Sequence, residues 1–370
     1  MSAKRVFILG AGFSKQAGMP LAIELTPLII NKFKEDDLEE ALSWFEWLKQ
    51  RIEWLEAGGG DKASQINIEE VFDLAYFDAI RWRMEQHRCP LGRTAGETPH
   101  NQAESIEAWL SYMEEDLINV IWERQKATGG KPAGIRRFAQ NVQEADVVLT
   151  FNYDTLLESS LSELSKPWHY GFALENGQGI SVLKMHGSIN WLVVERNKYQ
   201  NFGYPLLFKK EDENRNENDC PSGEDEWDYV LMRIPDACIG SRIENRDLQR
   251  AEKTYLISIA IAGLGRYKPL DKVPGTGEVW YNALKALSEA DEVYIVGFSL
   301  SPFDTMARLH FAGAMLSRSE KDKSVPKVTI IDPCAHRLKP NFHAVFGSNA
   351  PIDTCQTSAE KVDWTQLLAQ

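Results

Sequence analysis

Short apolar runs that end in glycine or polar residues recur along this chain. Arg5–Leu9 (RVFIL) leads into Gly10-Ala11-Gly12, and Asp146–Phe151 (DVVLTF) into Asn152-Tyr153-Asp154. Ile180–Met185 (ISVLKM) leads into His186-Gly187-Ser188, and Glu292–Val296 (EVYIV) into Gly297-Phe298-Ser299. Lys327–Ile331 (KVTII) meets Asp332-Pro333 and reads as the terminal strand. Runs of this length, rich in β-branched and aromatic residues and bounded by turn formers, predict buried strands.

Between the first two runs the pattern changes period. Phe33, Leu38, Leu42, Phe45, Leu48, Ile52 and Leu55 recur at mostly three- and four-residue intervals, the stripe of a helix against a core. Glu69–Glu85 and Glu104–Lys126 repeat it, with Gly58-Gly59-Gly60 and Thr94–Pro99 as breaks. Val279–Ser288 and Ser301–Ser317 read as further helices, whereas Tyr255–Leu264 is ambiguous between helix and strand. Residues 209–228, KKEDENRNENDCPSGEDEWD, are acidic and poor in apolar side chains, an exposed loop. Strands alternating with helices predict an α/β fold: a Rossmann-like parallel sheet flanked by helices, with a large helical insertion after the first strand. The expected organisation is one domain over 1–335, interrupted at about 25–140 by the insertion and at about 209–228 by the acidic loop. Residues 336–370 are expected to form a short C-terminal extension.

Composition narrows the function classes. A hydrophobic content of 43% fills a core and excludes a disordered chain. The formal net charge of −13 opposes sequence-independent duplex binding, so direct nucleic-acid binding is not expected. Five cysteines, widely spaced and without a CxxC pair, argue against a disulfide framework and a four-thiolate zinc site. No apolar stretch approaches the roughly 18 residues of a membrane span, and the amino terminus lacks a signal-peptide cleavage site. A cytoplasmic protein with no membrane association is expected.

In a parallel α/β sheet, ligands gather beyond the carboxyl ends of the strands, where all five clusters fall. Gly10-Ala11-Gly12-Phe13-Ser14-Lys15 after a strand suits a pyrophosphate at a helix start, although Lys15 stands where the dehydrogenase fingerprint has its third glycine. A plain tight turn explains it equally. Asn152 and Asp154 offer directional hydrogen bonds to a carboxamide or ribose, and either also suits a helix cap at Thr155. His186 is a proton carrier near neutral pH or a buried structural histidine. Gly297 and Ser299, followed by Ser301-Pro302-Phe303-Asp304, form a second place for phosphate or ribose oxygens, or a loop with a serine N-cap. Asp332 suits paired ribose hydroxyls, or simply a turn before proline.

The order and spelling of these clusters resemble the sirtuin superfamily. GAGFSKQAGMP resembles its GAGxSxxxGIP phosphate loop, TFNYD its TQNID, MHGS its catalytic-histidine segment, IVGFSL its late GTSL loop, and IIDP its ribose-binding turn. The resemblance implies that Gly10, Ala11, Gly12, Ser14 and Lys15 lie near the pyrophosphate of NAD. It implies Asn152 at the nicotinamide ribose, Asp154 on the carboxamide and His186 as catalytic histidine. Gly297, Phe298 and Ser299 would line the phosphate and adenosine side, and Asp332 the adenine ribose.

The chain lacks the paired CxxC zinc module of protein-deacetylating sirtuins, and MPLA replaces their IPDFR. The FNYD and MHGS spellings instead resemble the sirtuin-like NAD hydrolases of bacterial anti-phage systems. That branch implies a sirtuin-like NAD-binding catalytic domain over 1–335, with NAD as substrate and no metal. It further implies cleavage of the nicotinamide–ribose bond to nicotinamide and ADP-ribose, depleting NAD in abortive infection. Members of the branch act with a Toll-like, Argonaute or HerA-type ATPase partner or with their own sensor domain, so a homo-oligomer or a HerA-type partner ATPase is expected here. An NAD-dependent protein deacylase and a non-catalytic NAD or ADP-ribose sensor are the alternatives.

Overall fold

The computed structural model describes residues 3–57, 67–88, 99–128, 132–175, 177–195, 206–209, 229–233, 258–261, 275–302 and 304–369. Leu55's side chain, Gly58-Gly59-Gly60, Thr94–Thr98, residues 210–228 of the expected acidic loop and Phe303 fall outside that set.

Seven parallel strands form the central sheet. They are β1 (Arg5–Leu9), β2 (Val147–Thr150), β3 (Trp168–His169), β4 (Ile180–Lys184), β9 (Glu292–Val296), β10 (Lys327–Ile331) and β11 (Ile352–Cys355). Their spatial order is β11-β10-β9-β1-β2-β4-β3, every pair parallel. The chain therefore builds outward from β1 on one side and then returns to lay β9 against its other side. That reversal makes the β1/β9 boundary the topological switch point, where open α/β sheets form a crevice. Phe7, Ile8, Val148, Leu149, Val182, Val293, Ile295, Val328 and Ile330 are fully buried, as expected for strands covered on both faces. This is the Rossmann-like sheet expected from the apolar runs.

Among the described residues, five helices lie between β1 and β2 after a one-turn helix α1 (Ala11–Ser14): α2 (Ala22–Glu35), α3 (Glu39–Ala57), α4 (Ile68–Arg88), α5 (Pro99–Ala127) and α6 (Ala133–Asn141). The single stripe expected across Phe33–Ile52 is divided by a turn containing Asp37, whose φ is +52°. Phe33, Phe45, Leu48 and Ile52 nonetheless all point into the core. The Trp109 indole donates to the Ala41 carbonyl at 2.9 Å, tying α5 to α3. Gln125 near the end of α5 exchanges two hydrogen bonds with Thr155, donating to its hydroxyl at 2.8 Å and accepting its N–H at 2.9 Å. The insertion is thus bonded directly to the turn after β2.

Two features depart from the sequence expectation. A second, antiparallel sheet of order β6-β7-β5-β8 is built from β5 (Gly187–Glu195), β6 (Leu206–Lys209), β7 (Tyr229–Arg233) and β8 (Ser258–Ile261). Its strand β8 makes Ser258–Ile261 of the ambiguous Tyr255–Leu264 run a strand, the rest of that run lying outside the described residues, and β5 starts where the sequence suggested only a turn. Lys327–Ile331 is also not the terminal strand. After α10 (Ala335–Phe346) the chain adds β11 beside β10 and ends in α11 (Trp364–Leu367). Trp364 is buried edge-on against Phe138 of α6, centroids 4.9 Å apart. Among the described residues the remaining helices are α7 (Leu156–Glu163), α8 (Thr276–Glu289) and α9 (Thr305–Ser319). Among the described residues no helix is long and apolar enough to cross a membrane.

Candidate functional site

The parallel ladder continues one residue past the strand ends, and this aligns the five polar clusters. Met185 donates to Thr150, Phe151 to Leu9, Gly10 to Val296, Gly297 to Ile331 and Asp332 to Cys355, at 2.9–3.2 Å. Neighbouring strands lie about 4.8 Å apart, so four steps place His186 and Asp332 about 19 Å apart along one sheet edge. Between them lies a cavity of about 620 Å³, within the usual range of roughly 300–1,000 Å³ for small-molecule sites. Gly10, Ala11, Gly12, Ser14, Lys15, Asn152, Asp154, His186, Gly297, Phe298, Ser299 and Asp332 all line it.

The glycines answer first to packing. A Cβ on Gly10 would sit 2.6 Å from the Gly297 carbonyl, and one on Gly12 would sit 2.8 Å from the Gly297 Cα. Gly297 itself has φ +59° and would press a Cβ to 2.4 Å from the Phe13 nitrogen. The two turns at the switch point therefore cross in contact. Gly12 N–H already donates to Gly297 and Phe13 N–H to Gly10, both at 2.9 Å. Phe13 turns into the core against Phe138. At the mouth, the Lys15 ammonium pairs with both oxygens of Glu24. That ammonium and the Leu21 N–H hold the Glu24 carboxyl below its ordinary pKa.

Asn152 bridges this loop to the turn after β2. Its amide nitrogen donates to the Gly10 carbonyl and the Ser14 hydroxyl, each at 3.0 Å. A carbonyl can only accept, which fixes the amide this way round and leaves Oδ1 as the group Asn152 can present to a ligand. Asp154 accepts the Leu156 N–H at 3.2 Å, the local turn bond expected of an aspartate before a helix. Its own carbonyl accepts from Lys184, whose ammonium is fully buried and lies 3.1 Å from Glu158. Burial pushes the Glu158 carboxyl up despite the adjacent ammonium.

His186 occupies the junction of the two sheets, between the end of β4 and Gly187, whose φ of +79° turns the chain into β5. Its ring packs edge-on against Phe151, centroids 5.0 Å apart, and Phe151 stacks on Phe298 at 4.3 Å. Phe298 thus belongs to the aromatic wall beside His186. The His186 Nε2 lies 3.7 Å from the Asp304 carboxylate. Burial, then the charges of Asp304, Glu69 and Glu114, push the Tyr153 phenol well above its ordinary pKa. At the far end, Asp332 accepts the Cys334 N–H at 2.7 Å in a turn of its own. Neither Ser299 nor Ser301 caps the following helix: the N-cap is Asp304, and its side chain makes no capping bond.

Several lining residues carried no sequence signal. Asn67, Glu69 and Ile121 come from the helical insertion, and Ser358, Ala359 and Glu360 from the C-terminal segment. Glu69 accepts from the Ser301 hydroxyl at 3.2 Å, joining α4 to the loop after β9. Among the described residues no group of three or more His, Cys, Asp or Glu side chains is placed to hold a metal ion.

No protein-family model matches the chain, and no curated protein matches it. Among solved structures it is similar to a Sir2 homologue, a serine-to-alanine mutant in complex with ADP-ribose. The identity is 14% over 100% of this chain and 92% of that one, with a TM-score of 0.35. It is similar also to a Sir2 in complex with the inhibitor EX-527, 2′-O-acetyl-ADP-ribose and a deacetylated p53 peptide. There the identity is 12% over 99% and 93%, with a TM-score of 0.36. A third, described as the structural basis for sirtuin substrate affinity, is 12% identical over 99% and 92%, with a TM-score of 0.31.

Proposed function

We propose that this chain is an NAD glycohydrolase, acting in the cytoplasm to deplete NAD in anti-phage defence. One observation carries the reading. The residues matching the sirtuin motifs, distant in sequence, line a single cavity at the switch point of the sheet, with Asn152 and His186 toward one end and Asp332 at the other. The nicotinamide riboside half of NAD would lie toward Asn152, Asp154 and His186, and the adenosine half toward Asp332.

In the proposed reaction the bond between ribose C1′ and the nicotinamide nitrogen breaks, its electron pair leaving with nicotinamide. Positive charge grows on C1′, as in glycoside cleavage. Water then bonds to C1′, giving ADP-ribose, and its proton passes to His186. Asn152 Oδ1 accepts a hydrogen bond from a ribose hydroxyl or the water. Asp154 orients the carboxamide through its remaining acceptor positions. A positioned general base of this kind contributes roughly 10²–10⁴-fold.

The test incubates purified protein with NAD and follows nicotinamide and ADP-ribose by chromatography. Stoichiometric release by the wild type and none by His186→Ala is expected. An inactive wild type, assayed alone and with phage lysate, would remove the reading. Self-assembly or a HerA-type partner ATPase is part of the same proposal and is checked by light scattering with and without that partner.

A further inference from the structure

The Asp304 carboxylate stands 3.7 Å from the His186 Nε2, and the two residues are 7% and 5% exposed. Asp304 reaches this place from a different part of the chain, as the residue preceding helix α9. A side chain there ordinarily accepts N–H bonds from the first helical turn, but this carboxylate makes no such bond. The backbone around it is held instead. Asp304 N–H donates to Ser301 at 2.9 Å, Arg308 N–H donates back to Asp304 at 3.0 Å, and the Ser301 hydroxyl donates to Glu69. Phe151, packed edge-on, limits tilting of the imidazole.

We infer that Asp304 is a positioning residue for His186, fixing the imidazole and stabilising the imidazolium formed when His186 takes up a proton. The inference rests on the reading of His186 as the base of NAD hydrolysis. The pair is buried, where a carboxylate beside a forming cation acts more strongly than in water. The other groups facing the site lie on different elements. Tyr153 and Asp154 come from the turn after β2, and Glu69 from α4. The Lys184 ammonium on β4 is engaged by Glu158 and the Asp154 carbonyl. The 3.7 Å separation closes to a hydrogen bond as the imidazole becomes charged, in keeping with the long catalytic contacts common in unliganded sites.

The experiment combines steady-state kinetics across about pH 5–9 with an NMR titration of the His186 ring, for wild type, D304N and D304E. D304S serves as a second charge-removing variant should D304N fail to fold. For D304N the expected result is NAD affinity within about threefold of wild type and kcat lower by roughly 10²–10⁴-fold, the range for an unsupported histidine base. The acid limb of kcat/KM and the His186 titration should both move to lower pH, because the amide no longer stabilises the imidazolium. D304E, which keeps the charge, should recover part of both. An unchanged His186 titration in the charge-removing variants overturns the inference, whether or not kcat falls. If the wild type does not hydrolyse NAD, the reaction assignment fails, while the titration still decides whether the two side chains are coupled.

Discussion

The Gly12 amide donates to the Gly297 carbonyl over 2.9 Å, bonding the turn after β1 to the turn after β9 where the sheet reverses its order. Contact this close makes both glycines structural as well as site-lining. Gly297→Ala should lower Tm sharply and abolish NAD turnover, since the new Cβ meets the Phe13 nitrogen at 2.4 Å. Gly177→Ala is the control. Its φ is a similar +60° but nothing lies within 4 Å, so only the left-handed backbone penalty of roughly 1–2 kcal/mol applies. Thermal melts of the two variants separate the clash from the conformational term.

Asn152→Ala removes the bonds to Gly10 and Ser14, each worth about 0.5–1.5 kcal/mol. It should therefore lose stability together with turnover, whereas His186→Ala should lose turnover with a smaller change in Tm. Asn152→Asp should be less stable still, because a carboxylate oxygen would face the Gly10 carbonyl. Denaturant titration beside the nicotinamide-release assay checks all three.

Beneath the sheet, Arg5 holds Asp146 by paired bonds of 2.9 and 2.7 Å, both side chains nearly buried. Removing one partner strands the other charge, a loss of about 3–5 kcal/mol. Arg5→Met or Asp146→Leu alone should be strongly destabilised, and the double variant should recover much of that loss. Urea midpoints of the three proteins provide the measurement.

Asp116 on α5 is buried, and burial raises its pKa to about 6, against a weak bond from Asn119 and the charge of Lys32. One of its oxygens has no hydrogen-bond partner. The folded pKa lies above the unfolded value, so the folded state holds this proton more tightly. Stability from this group is complete below about pH 4 and is lost as pH rises through about 6. Asp116→Asn should therefore raise Tm at pH 8 and leave it nearly unchanged at pH 4. Melting curves at the two pH values show which.

The central sheet was legible because buried parallel strands read as uninterrupted apolar runs: RVFIL, EVYIV and KVTII name themselves. Strand β11 did not, since Asp353 and Thr354 are exposed and only Ile352 enters the core. Strand β5 was hidden because its first residues adjoin His186 and read as part of that turn. The motif residues around the cavity could be named from sequence, but the places of Glu69 and Asp304 beside them could not. Each looks locally like an acidic residue near a helix start, and only the long-range path of the chain brings them to His186 and Tyr153. The glycines carried a double meaning, and only the crossing of the two turns reveals the steric one.

Strand β11 and the Ser358–Glu360 segment have a practical corollary. One supplies the outermost strand beside Asp332 and the other part of the cavity wall. Shortening the chain after residue 335 would strip β10 of its neighbour and uncover the adenosine end of the proposed cleft, so a trimmed catalytic fragment should be both sticky and weak in nucleotide affinity.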